Sequence, residues 1–155
     1  MSENVHILQV KKLQLPVIKL LWEKLNALHL EDSVYFKEHY STFTFEKRTL
    51  RWSKLAESDI FILIAKNTSE NIVGYCVSTI HDNEGDVDSI FVEAEYRKHN
   101  IGKQLVETSI EWLKHKGCSK IKLGVSFGHE SVFKFYQKLG FYPRMTMLEL
   151  KNNEE

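Results

Sequence analysis

The chain has little cysteine, no net charge and no long apolar run, and each shortage removes a class of protein. Two cysteines, Cys76 and Cys118, stand in 155 residues. That is too few for a disulfide framework or a spaced set of metal ligands, so no metal is expected. Both sit in element-like sequence and read as buried free thiols. Lys plus Arg number 21 and Asp plus Glu number 21, a formal net charge of +0. A general nucleic-acid binder carries a basic excess or stripe. No nucleic-acid partner is therefore expected, although a local basic pocket remains allowed. No apolar stretch approaches the roughly 20 residues that a membrane helix needs. The start, MSENVHILQVKK, meets charge too early for a secretory leader. Repeats, low-complexity tracts and linkers are missing as well. Together these absences read as a soluble, intracellular, cytoplasmic protein in a reducing compartment, with no membrane partner.

What is present suits one domain over residues 1–155 with a sizeable core. Val5 to Val10 alternates weakly, as a strand does. Leu15 to Leu30 reads as a helix with Pro16 in its first turn. Ile18, Leu21, Trp22, Leu25 and Leu28 line one side of it at helical spacing. His29 to Ser41 is less periodic and rich in aromatics. Thr42 to Glu57 reads as a second helix, with Phe45, Thr49 and Trp52 on its apolar side. Ile60 to Ala65 is a continuous apolar run, expected as a strand buried on both faces. Ile72–Ile80 and Asp86–Val92 read as strands joined by the hairpin turn Asp82-Asn83-Glu84-Gly85.

A helix over Ile101–Lys116 follows, with Leu105, Val106, Ile110 and Leu113 on one face and Gly117 as its cap. Ile121–Val125 alternates with lysines as a strand. HESVFKFYQKLGF then reads as a helix carrying Val132, Phe135, Tyr136 and Leu139, closed by Gly140-Phe141. Met145–Leu150 is expected as a last strand, and Lys151–Glu155 as a fraying polar tail. A hairpin first, then strands joined through helices, gives an α/β mixed sheet with helices on both faces.

The stretch SIFVEAEYRKHNIG, with the helix behind it, carries the chemistry. An apolar strand (Ile90, Phe91, Val92) runs through an acidic turn into Arg97-Lys98-His99-Asn100-Ile101-Gly102 and a helix start. The first N–H groups of a helix lack intrahelical partners, and the aligned dipoles add about half a positive charge there. Phosphate is a usual guest. Arg97, Lys98, His99 and Lys103 put basic side chains around the spot. Read alone, the stretch is equally a solvated basic turn before a surface helix. A doubly wound nucleotide-binding domain would want a glycine-rich turn after an early strand; here the turn has only Gly102.

EYRKHNIGKQLVE, followed downstream by FYQKLGF, resembles the GNAT superfamily of acyl-CoA-dependent N-acyltransferases. The family's turn is Arg or Gln, two variable residues, Gly, one variable residue, then Gly or Ala. Residues 97–102 follow it with Asn100 in place of the first glycine. Asn visits the left-handed region more readily than other non-glycine residues, so Asn100 is expected there. The second landmark, Asn-x-x-Ala-x-x-x-Tyr leading into Lys-Leu-Gly-Phe, is matched by His129, Val132 and Tyr136. The resemblance covers residues 60 to 150 well, and earlier residues only in the order of elements. It implies a single GNAT-like domain with a mostly antiparallel sheet of about six or seven strands. Two of those strands, flanking the long middle helix, lie parallel and splay apart.

The resemblance also implies roles. Acetyl-CoA is the expected cofactor. Its pyrophosphate falls to Arg97, Lys98, His99, Asn100, Ile101, Gly102 and Lys103. Its pantetheine arm falls to the backbone of Phe91 and Val92 and to His129 and Tyr136. The Val92 N–H is the expected donor to the thioester carbonyl. Tyr136 matches the position that protonates the sulfur; by spacing alone it is a core aromatic. On a regular strand Asp86, Asp88, Ile90 and Val92 share one face. Asp86 and Asp88 are thus candidate bases, or a solvated pair at a hairpin end. His129 and Glu130 rank behind them, and His29 reads as structural. The acceptor pocket is expected around Glu31, Asp32, Tyr35 and Phe36, where carboxylates and aromatics suit an ammonium group. The implied reaction is direct attack of a small-molecule primary amine, such as a polyamine, amino-sugar or amino acid, on the thioester. A protein or peptide N-acetyltransferase and a non-catalytic acyl-CoA-binding regulatory domain are the alternatives. A homodimer is compatible with all three.

Overall fold

Largely buried central strands build the sheet. The structure, a computed structural model, describes residues 4–151. Strands β1 (His6–Val10), β2 (Ile60–Lys66), β3 (Ile72–His81), β4 (Glu84–Val92) and β5 (Lys120–Lys122) form a five-stranded sheet in the order β1-β2-β3-β4-β5. The first three pairings are antiparallel, and β4 pairs with β5 in parallel. β2 is buried on both faces, as its unbroken apolar run requires. Ile60, Ile62 and Ile64 enter one core cluster, while Phe61, Leu63 and Ala65 enter the other.

A 3₁₀ turn over Lys12–Ile18 contains Pro16 and leads into α1 (Lys19–Asp32). Pro16 has no N–H for an α-helical bond, so the α-helix begins later than the apolar spacing suggests. α2 spans Lys37–Thr42. α3 (Phe45–Ser53) starts where the Thr44 hydroxyl accepts from the Lys47 N–H, a side-chain cap. α4 spans Ile101–His115 and α5 spans Phe133–Lys138. Leu15, Ile18, Leu21, Trp22, Phe45 and Trp52 cover one sheet face, against Tyr75, Val77 and Phe91. α4 covers the other face through Ile101, Leu105 and Leu113, against Cys76, Val87 and Val92. Helices therefore lie on both faces, as expected.

The turns keep their sequence logic. Asp82 and Asn83 have φ of +49° and +64°, a primed turn that matches strand twist. Gly117 and Gly140 stand at φ +80° and +99° behind α4 and α5, as C-caps do. Both cysteines are free; Cys76 is buried and Cys118 half-buried. Among the described residues no helix is long and apolar enough to cross a membrane.

Two expectations fail at the sheet's far edge. β5 pairs only over Lys120–Lys122 instead of Ile121–Val125, because the chain leaves β4 there. Met145–Leu150 forms no strand. Its apolar residues stand in solvent, with Met145 74% and Leu148 90% exposed. Alternation gives a segment strand character, but a strand also needs an edge to pair with and a surface to cover. The described sheet has five strands, where six or seven were expected. Of the expected frayed tail, only Lys151 lies within the described residues.

Gly85 of β4 lies beneath α4. A Cβ there would stand 2.7 Å from Cδ2 of the fully buried Leu113. Gly85→Ala should cost about 1–3 kcal/mol through this overpacking. Urea unfolding should show a lower midpoint at unchanged slope. An unmoved midpoint would mean that Leu113 yields freely.

Candidate functional site

The site is organised by an irregularity in β4. β3 pairs Val77 with Ser89 but Ser78 with Val87, leaving Asp88 as the extra residue of a β-bulge. A bulge breaks the two-residue period. Asp88 and Ser89 therefore both turn toward the α1 and α3 side. Asp88 meets Arg48 and Trp52 of α3, and the Ser89 hydroxyl lies 2.8 Å from the Tyr75 hydroxyl. Phe91 follows on that side, while Val87 and Val92 pack in the α4 cluster with Ile90 against it. The expectation that Asp86, Asp88, Ile90 and Val92 share one face is overturned by this bulge.

The two aspartates have different surroundings. The Asp88 carboxylate is 8% exposed and pairs with Arg48 at 3.0 Å. It also accepts from the Trp52 indole N–H at 2.9 Å and lies 3.8 Å from Arg51. Its acceptor positions are thus largely occupied. Asp86 is half-buried and lines a cleft of about 150 Å³ with Arg51, Thr79, His81, Asp82, Glu84 and Lys122. Burial, then the charge of Asp88, pushes its carboxyl above the ordinary carboxylate range; Lys122, Arg51 and Arg48 offset part of this. Sequence reading did not single out Arg48. Its position one helical turn before Trp52 was the available signal.

Beyond Asp86↔Lys122, β4 and the chain after β5 part. β4 runs on to Val92 with β3 on one side and a gap on the other. The Glu93 N–H bonds the Val73 carbonyl at 2.8 Å. N–H groups alternate sides along a strand, so those of Ile90 and Val92 point into the gap. The Val92 carbonyl also faces away from β3, and there it accepts from Arg97 Nε at 2.9 Å. At the gap's mouth Lys98 and Asn100 have φ of +70° and +63°, directly before α4. Asn100 is left-handed, as expected. Gln104 is the first residue to close a helical bond, donating to Asn100. The amides ahead of it are left for an outside acceptor. Lys98, His99, Asn100 and Lys103 are exposed around them. Such a place suits a molecule with a phosphate end and a narrow, extended amide-bearing arm.

Residues 22–141 match the sequence model of the Acetyltransferase (GNAT) family. The chain belongs to this family. Among its relatives is an uncharacterized N-acetyltransferase of Methanocaldococcus jannaschii, 25% identical over 122 residues, which are 70% of this chain and 53% of that protein. Another is N-alpha-acetyltransferase 30 of Saccharomyces cerevisiae, 27% identical over 76% of this chain and 68% of that protein. The chain thus spans about half of the Methanocaldococcus relative's length. Among solved structures, the PaiA N-acetyltransferase of Thermoplasma acidophilum in complex with coenzyme A superposes with a TM-score of 0.69. It is 22% identical, and 93% of each chain is covered.

In this GNAT domain, α5 stands across the gap from β4. A Cβ on Gly102 would lie 3.4 Å from Phe135 Cζ and 3.9 Å from Val92 Cγ2, so the α4 start, β4 end and α5 converge. Tyr136 lies between Phe135 and Phe141, with ring centroids 5.1 and 6.1 Å away. Burial, and after it the Cys76 thiol, pushes the phenol's pKa up. Tyr136 therefore keeps its proton at neutral pH.

The segment expected to bind the acceptor is stitched to the turn before α5. The His129 imidazole meets the Asp32 carboxylate at 3.1 Å. The Tyr40 hydroxyl donates to Ser126 Oγ at 3.1 Å, and Tyr35 lies 5.7 Å from Phe127. Gly128, at φ +96°, lies so close that a Cβ would stand 2.3 Å from the Asp32 carbonyl oxygen. His29 contacts both His129 and Tyr40 edge-on at 5.6 Å. Burial, then the charge of His129, pushes His29 down to about 4, with Asp32 opposing. Asp32 and His129, assigned separately in the sequence, are thus partners. Glu31 is exposed and Phe36 half-buried.

The aspartates should separate in mutants. Asp88→Asn strands the buried Arg48 charge and should cost about 3 kcal/mol or more. Asp86→Asn removes a carboxylate that folding leaves poorly compensated, and should leave the denaturation midpoint unchanged or raised. Equal losses in the two mutants would refute this division.

Proposed function

We propose that the chain is an acetyl-CoA-dependent N-acetyltransferase acting on a primary amine of a small molecule. The observation that carries this reading is the gap between β4 and β5, into which the Val92 N–H points, with the left-handed turn and α4 start at its mouth. When bound, acetyl-CoA supplies an acetyl group activated as a thioester. The amides from Ile101 to Lys103, with Lys98, His99 and Lys103, receive the pyrophosphate. The backbone of Phe91 and Val92 lines the arm, with His129 beside it. The Val92 N–H donates to the acyl oxygen in the gap.

Asp86 accepts the amine's proton at its carboxylate, through water if not directly. Asp88 is already committed to Arg48 and Trp52 and acts by holding α3 against β4. The Tyr136 hydroxyl gives its proton to the departing sulfur. The closed seam between α1–α2 and the turn before α5 favours a small acceptor over a polypeptide laid across the surface. Glu31, Asp32, Tyr35 and Phe36 then border the acceptor's entry, with polyamines, amino-sugars and amino acids as candidates.

Acetyl-CoA turnover across a panel of amines, read as thiol release, tests the whole reading. Tyr136→Phe keeps the ring and loses the proton donor. Its kcat should fall by about 10²-fold with acetyl-CoA affinity nearly unchanged. An unchanged kcat would make Tyr136 a packing residue. Because the base must be ionised, kcat/KM should fall as pH drops through the raised Asp86 pKa, and Asp86→Asn should lose that acid limb. Gly102→Glu puts a negative charge at the anion turn and should abolish acetyl-CoA binding by calorimetry while the fold survives. Wild-type protein that binds acetyl-CoA but acetylates no amine would favour the regulatory reading.

A further inference from the structure

The cleft that Asp86 lines holds three basic and three acidic side chains, but they are not equally matched. Lys122 pairs with Glu84 at 3.6 Å, and His81 lies 3.3 Å from Asp82 at the rim. The side chains of His81 and Asp82 are 85% and 86% exposed, so water and salt screen them. Arg51 and Asp86 are left over. Among the described residues Asp86 joins no ion pair. Arg51 comes to 3.8 Å from Asp88, too far for a hydrogen bond. The Asp88 carboxylate already accepts from Arg48 and Trp52. The guanidinium has five N–H donors to place, and it stands largely exposed at the cleft wall. One uncommitted cation and one uncommitted anion therefore share a cleft of about 150 Å³. They lie near enough for the Arg51 charge to act on the Asp86 carboxyl, yet not in contact.

We propose that the acceptor is an amine that itself carries a carboxylate, as an amino acid does, and that Arg51 selects it. The amine stands at Asp86 and the carboxylate lies on the Arg51 guanidinium. Arg51 has this role only if the chain acetylates an amine beside Asp86, as proposed above. A carboxylate matches the planar guanidinium fork with two parallel hydrogen bonds. A phosphate dianion would meet Asp82, Glu84 and Asp86 around the same cleft and be repelled more strongly than a single charge. The second ammonium of a polyamine would meet Arg51 as a like charge. Size agrees: at roughly 10–15 Å³ for each water, the cleft takes about as many waters as a small amino acid has heavy atoms. Its place agrees too. Asp86 and Lys122 are the last paired residues of β4 and β5, and both line the cleft. The amine at Asp86 thus stands nearer the gap, and the carboxylate nearer α3, which carries Arg51.

Acetyl-CoA turnover, read as thiol release, should be compared for the common amino acids, their amides and spermidine. The kcat/KM of the best amino acid should exceed that of its own amide by about 10-fold or more, the worth of a charge-assisted hydrogen bond. Arg51→Gln should raise KM for that amino acid by about 10-fold at unchanged kcat and leave the amide as it was. Arg51→Lys keeps the charge without the fork and should fall between the two. Because Arg51 is largely exposed, both variants should keep the wild-type denaturation midpoint. Equal losses on amino acid and amide would mean that Arg51 acts through Asp88, and would overturn the proposal. Amides or spermidine turned over faster than every amino acid would overturn it too, while leaving the enzyme reading in place. No turnover of any amine would overturn both.

Discussion

Past Asp86, β4 has a strand on one side only. Buried backbone N–H and C=O groups without partners are costly, so a half-paired strand inside a domain must find something else to bond. Arg97 reaches back and takes the Val92 carbonyl. The N–H groups of Ile90 and Val92 point into the opening. The rest of the site follows from this. α4 starts where the strand ends, so its free amides flank the same opening. α5 and the turn before it form the far wall because β5 stops pairing at Lys122.

The bulge is the second element of the arrangement. Without it, Asp88 and Ile90 would share a face and Ser89 would point to α4. With it, Asp88 reaches α3 and Ser89 reaches Tyr75. An aspartate placed there must be paired, and Arg48 and Trp52 of α3 supply the partners. This leaves Asp86 beside a like charge and partly out of water. Both effects raise its pKa in the same direction. The same pair of carboxylates thus yields one bonded to α3 and one left lining the cleft, in an arrangement that no single residue type dictates.

How much of this was legible in the sequence depended on whether the signal was local. Asn100 in the left-handed region, the primed turn at Asp82-Asn83 and the glycine caps at Gly117 and Gly140 were all readable, because each depends on a few neighbouring φ angles. The fully buried β2 was readable from its unbroken apolar run. The bulge was not, since Asp86-Val87-Asp88-Ser89 alternates perfectly well as a regular strand. What decides it is the register with β3. The Asp32–His129 partnership was equally hidden: 97 residues separate the two in sequence. The last strand was overread because Met145–Leu150 has the composition of a strand but pairs with no strand among the described residues.

The seam between α1–α2 and the turn before α5 links the two halves of the site mechanically. One side of it, Asp32 and Tyr40, belongs to the segment that we propose borders the acceptor. The other side, Ser126 to His129, leads directly into the helix that carries Tyr136. Gly128 permits the contact only because it has no Cβ and takes φ +96°. Packed elements of this kind tend to move as a unit rather than deform continuously. A shift of α5 on filling the gap would therefore be felt at Asp32, and an acceptor pressing on α1–α2 would be felt at Tyr136. His29, neutral and wedged between His129 and Tyr40, fills the seam without adding a charge to it. On the proposed reading, the two sides of the gap are joined through packed side chains and the hydrogen-bonded contact of His129 with Asp32.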